Sequence, residues 1–163
     1  MSKTQLIAEP GKQEVVVTHV FDAPRDLVFK IITDPTLIPQ WWGPRDLKTN
    51  VVKMDVRKGG IWRIVQRDPG GNEFAFNGVY HEILAPERVI DTFEFEPYPG
   101  HVLLETMTLE EQDGKTLLTT KLVYQSVEDR DGMVQTGMES GQSESMERLG
   151  ELLQEFQKEP HKI

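Results

Sequence analysis

Residues 14–21, EVVVTHVF, form a β-branched run that predicts a strand, closed by Asp22 and Pro24. Leu27, Val28, Ile31 and Ile32 then recur at three- and four-residue spacings, the apolar stripe of a helix with Pro24 in its first turn, Asp22 as its cap and Pro35 as its stop. A second short helical segment runs through Leu37 and Ile38 to Trp41-Trp42 and breaks at Gly43-Pro44. From Leu47 onward the period becomes two. Strands are expected over 47–56, 61–67, 73–84, 88–96, 102–111 and 116–125, with Gly-, Pro- and Asp-rich turns between them, the pattern of an antiparallel meander. A last amphipathic segment, 133–156, carries Val134, Met138, Met146, Leu149, Leu152, Leu153 and Phe156 on one face, which predicts a long helix. Gly137 and Gly141 in its first turns imply an irregular start or a close approach to the sheet or a ligand, since each weakens a helix by about 1 kcal/mol relative to Ala.

The order of elements is α+β, without repeats: a curved antiparallel sheet of six or seven strands wrapped around a long C-terminal helix, with two short helices after the first strand. Residues 1–13 read as a loosely held tail, 14–157 as one domain and 158–163 as a C-terminal tail. Residues two apart on a strand share a face. Choosing the apolar face points Trp62 and Ile64, Phe76 and Tyr80, Phe93, Met107, Leu118 and Tyr124 inward. With Trp41, Trp42 and Met138 this apolar surface exceeds what one helix can cover, so a cavity lined by these residues is expected between sheet and helix.

Two carboxylates share the inward parity. Glu105, between Leu103 and Met107, either faces a wet cavity or sits on the surface at a bulge, because an unpaired buried charge is costly. Asp91, in parity with Phe93, poses the same question. Glu105, Asp91 and Tyr80 are the candidates for acid–base chemistry. His19, His81, His101 and His161 lack metal-ligand spacing, and no phosphate loop, nucleophile elbow or dinucleotide fingerprint occurs. No cofactor or metal is expected.

Composition narrows the classes further. The 163 residues carry a net charge of −9 and no cysteine, which excludes disulfides, thiolate zinc sites and cysteine nucleophiles and fits a cytosolic protein. There is no Lys/Arg cluster for a nucleic-acid backbone, no apolar run long enough to span a bilayer, and no signal-peptide core. From Ser126 onward nine acidic residues face four basic ones, so −5 of the charge sits on the terminal segment, read as a solvated helix face.

The motifs VFDAPRDLVFKIITDPTLIPQWWGP, MDVRKGGIWR, GVYHEILAPERV, DGKTLLTTKLVY and GMESGQSESMERLGELL follow one another across about residues 14–156. In this order they resemble the domains related to activators of the heat-shock protein 90 ATPase, within the START-like or SRPBCC superfamily. The resemblance implies a helix-grip fold with a deep apolar cavity. It leaves activity open, because the superfamily includes lipid and hormone carriers, polyketide cyclases, oxygenase substrate domains and chaperone co-factors. Eukaryotic chaperone activators add a separate N-terminal domain, for which a thirteen-residue tail leaves no room, so chaperone activation is not the leading expectation. That expectation is a non-enzymatic module binding a small apolar or amphipathic molecule, with Glu105 or Tyr80 orienting its polar end. The alternatives are a cyclase- or hydrolase-like enzyme using Glu105 or Asp91 with Tyr80, and a protein-interaction module. The oligomeric state stays open, a dimer included.

Overall fold

The computed structural model describes residues 3–158. Eight strands, β1 (Gln5–Ile7), β2 (Glu14–Phe21), β3 (Lys48–Met54), β4 (Ile61–Arg67), β5 (Glu73–Leu84), β6 (Arg88–Phe95), β7 (Val102–Gln112) and β8 (Lys115–Val123), form one antiparallel sheet. Its order is β1-β2-β8-β7-β6-β5-β4-β3, so the six-stranded meander is extended by β2 pairing with β8. Helices α1 (Arg25–Ile32) and α2 (Ile38–Trp41) follow β2, and α3 (Val127–Gln135) and α4 (Met138–Lys158) end the described chain. The sheet curls around α4, whose Leu149 and Leu153 are almost wholly buried beside Val28 and Ile31 of α1 and Leu109 and Leu118 of the sheet. Each such side chain contributes roughly 1.5–3 kcal/mol by leaving water.

Several sequence expectations change. Residues 5–7, assigned to a loose tail, form an edge strand: Leu6 pairs with Val17 in register and packs on a second apolar cluster of Val15, Val17, Leu103, Leu122 and Tyr124, and Thr4 Oγ1 lies 2.9 Å from His19 Nδ1. Three residues are too few to show a period, so the sheet edge they complete is what orders them. The C-terminal tail expected at 158–163 begins on a helical Lys158, and its remainder lies outside the described residues. The N-terminal position of α1 is Pro24, with no side-chain cap, so Asp22 does not cap the helix. The single helix expected from Met133 is two helices. Ser126 caps α3 by accepting from the Asp129 amide at 3.0 Å, and Gly137, at φ 84°, turns the chain into α4. The irregular start is therefore the reason for Gly137.

Candidate functional site

Between the sheet and α4 lies a cavity of about 270 Å³. Its floor is built by strand alternation: Trp62 and Ile64 from β4, Phe76 and Tyr80 from β5, Asp91 and Phe93 from β6, Glu105 and Met107 from β7, and Leu118 and Thr120 from β8. The side wall is Trp41 and Trp42 at the end of α2, and the roof is Met138, Gly141 and Met146 of α4. Eleven of the twelve side chains expected at a pocket therefore converge. Tyr124 does not reach it; its ring belongs to the second cluster, and its hydroxyl donates to Met138 Sδ at 3.8 Å. Met138, which that hydroxyl meets, lines the cavity in its place.

The aromatic rings pack on one another: Trp42 meets Phe76 edge-on with centroids 5.4 Å apart, Phe76 meets Phe93 at 5.3 Å, and Phe93 meets Trp62 at 5.7 Å. Trp62 lies in register with Gly78, and a Cβ at Gly78 would come within 2.5 Å of the indole Nε1 and 1.9 Å of the Thr92 carbonyl oxygen. That bare backbone lets the indole lie across β5. Glycine inside a strand marks such close approach, and Gly78 is the sequence signal that locates this wall.

Cross-strand register places Tyr80 opposite Asp91 and Asp91 opposite Glu105, so three titratable groups form one row over β5, β6 and β7. Asp91 is 4% exposed and Glu105 is half-buried, and both side chains line the cavity. Burial, then the facing Glu105 charge, raises the Asp91 pKa well above the ordinary value, and burial raises that of Glu105 against a hydrogen bond from Asp91. Two carboxyls so placed favour sharing one proton. Burial, followed by the charges of Asp91 and Glu105, pushes the Tyr80 hydroxyl upward, keeping it a neutral donor. Trp62 biases Asp91 toward its charged form, yet Trp62 Nε1, Trp41 Nε1 and Asp91 Oδ1 are buried without a hydrogen-bond partner of good geometry. Among the described residues no three His, Cys, Asp or Glu side chains group as a metal site.

The segment after α2 is fastened to α4. Arg148 donates to the carbonyls of Gly43 at 2.7 Å and Pro39 at 3.2 Å; the Gly43 amide donates to Ser145 Oγ at 2.8 Å, and the Arg45 amide to Glu144 at 3.0 Å. The Arg45 guanidinium makes two hydrogen bonds to Glu151, at 3.1 and 2.7 Å. Part of the acidic face expected to meet only water thus positions the tryptophan pair. Sequence reasoning missed Arg148 and Arg45; nothing local tells an anchoring arginine from a solvated one.

A curved antiparallel sheet gripping a C-terminal helix over an aromatic-walled cavity defines the helix-grip class of α+β proteins. The family model for Activator of Hsp90 ATPase homolog 1-like protein matches residues 22–154, and the chain belongs to that family. Among solved structures it is similar to a protein from Arthrobacter aurescens (24% identity, TM-score 0.85, covering 93% of this chain and 91% of that one). It is likewise similar to one from Rhodobacter sphaeroides (24%, 0.85, 93% and 97%) and to Ms6760 from Mycobacterium smegmatis (25%, 0.81, 93% and 96%). These likenesses show the fold. No curated protein matches the chain significantly. Among the described residues no helix is long and apolar enough to cross a membrane.

Proposed function

We propose that this protein is a non-catalytic binder of a small apolar or amphipathic molecule, held in the cavity between the sheet and α4. The observation that carries the reading is that three buried polar atoms, Trp41 Nε1, Trp62 Nε1 and Asp91 Oδ1, stand unpartnered around one largely apolar space. Each unmade hydrogen bond costs about 1–3 kcal/mol, which a bound molecule's polar atoms would recover. The volume accommodates roughly nine water-sized groups, near the lower end of ordinary ligand pockets. Trp41, Trp42, Trp62, Phe76, Phe93 and Met107 would wall the ligand, and Glu105 and Tyr80 would orient its polar end. Met107, Met138 and Met146 suit a site that adapts its shape.

Native mass spectrometry of protein isolated from its own cells, with titration of tryptophan fluorescence by 1-octanol, tests this. A retained small molecule or a saturable one-to-one response is expected. The absence of both would overturn the reading. A second reading, acid–base catalysis by Asp91 or Glu105 with Tyr80, is favoured by their shared row and raised pKa values. Chemical conversion of the retained molecule by the purified protein would select it. A chaperone contact, suggested by the family's description, would need no cavity, so the unpartnered cavity atoms favour ligand binding. The cysteine-free chain suits a cytosolic setting for it.

A further inference from the structure

Resting on the binding reading, we propose that the cavity selects an organic cation: an apolar molecule bearing a protonated amine, seated with its ammonium against the Asp91–Glu105 pair. The lining holds two carboxyls and no lysine, arginine or histidine. The nearby guanidinium groups are engaged elsewhere, Arg148 on the carbonyls of Pro39 and Gly43, and Arg130, 2% exposed, on the Glu14 carbonyl and Asp131. A fatty carboxylate or phosphate would bring a like charge to buried carboxyls with no cation to compensate it. An ammonium instead supplies three donors to a site where Asp91 Oδ1, on a residue 4% exposed, accepts none. Its hydrogen bonds there would be charge-assisted. The net charge of −9 favours the approach of cations at long range.

The ammonium takes the place of the proton that the two carboxyls share, so binding releases a proton. Facing the pair are the Tyr80 hydroxyl from β5, the Trp62 N–H from β4 and, toward Glu105, Tyr124 from beyond β8; the α4 lining contributes Met138, Gly141, Gln142, Ser145 and Met146, all uncharged. Affinity for an amine should therefore rise as the pH is raised from the ordinary carboxyl range toward neutrality and above, while affinity for a neutral analogue changes less.

Isothermal titration of the full chain with n-octylamine, 1-octanol and octanoate, at about 0.15 M salt to screen the surface charge, tests the proposal. One-to-one binding of octylamine at least about tenfold tighter than that of 1-octanol is expected, with octanoate weakest. In an Asp91→Asn, Glu105→Gln double variant the preference should vanish, with amine and alcohol binding within about twofold of each other. Should that variant not fold, the three titrations of the unaltered protein still decide. Octanol or octanoate binding as tightly as octylamine would overturn the cation proposal and leave the binding reading standing. If none of the three binds, the cation proposal falls, and the binding reading falls with it when native mass spectrometry also finds no retained molecule.

Discussion

At Asp91 the chain buries a carboxyl and sets a second carboxyl in register beside it. The consequence for stability has a definite sign. Below about pH 3, under the ordinary carboxyl range, both groups are protonated in the folded and unfolded states alike; as pH rises, the unfolded chain releases protons that the folded one retains, and stability falls. Asp91→Asn should therefore melt at a higher temperature than the unaltered protein near neutrality, with the gap closing as the pH falls to about 3. Thermal melts of the two proteins across that range check it. Asp68, Glu82 and Glu96, held low by hydrogen bonds, act in the opposite direction but equally in both proteins. Gly78 makes a second residue-scale case. An added methyl would strike the Thr92 carbonyl and the Trp62 indole, so Gly78→Ala should cost about 1–3 kcal/mol in denaturant unfolding and shift tryptophan emission.

Helix α4 does two jobs on two faces. Leu149, Leu152 and Leu153 pack the core, and Ser145, Arg148, Glu144 and Glu151 hold the 42–45 segment that carries Trp42. Hydrogen bonds to a charged group are worth about 1.5–3 kcal/mol, so Arg148→Met, which keeps an apolar stem, should speed hydrogen exchange at the Gly43 and Arg45 amides about ten- to a hundredfold. Core amides in β7 and β8 should change far less. Unaltered exchange at Gly43 would mean that Ser145 and the contacts of Arg45 with Glu144 and Glu151 fix the segment without Arg148. The break between α3 and α4 was partly legible: Ser126 followed by Glu128 and Asp129 is a helix-start signal, but the amphipathic stripe begins later, and periodicity alone merged the two helices.

For the whole molecule the question is whether the cavity is a packing defect or a site. Gly141 lines it, and a Cβ there meets nothing within 4 Å. Gly141→Leu should stabilise α4 by up to about 1 kcal/mol through helix propensity while occupying the space. The expected outcome is a raised melting temperature together with at least about tenfold weaker binding of 1-octanol and octylamine, measured by calorimetry. Binding that survives this substitution would place the ligand somewhere other than the cavity.

Sequence by itself determined the class of fold, the meander, the two short helices and the inward parity of Trp62, Phe76, Tyr80, Phe93 and Met107, because periods of two and 3.6 are local properties of the backbone. It also determined that Asp91 and Glu105 share that parity, but not that they face each other. Only the tertiary structure decided the row of Tyr80, Asp91 and Glu105, since register between strands depends on pairing across the sheet and on the bulge between Tyr80 and Glu82. Likewise the removal of Tyr124 from the cavity, the ordering of residues 5–7 and the anchoring by Arg148 are contacts between segments distant in the chain, and no local pattern encodes which partner a side chain meets.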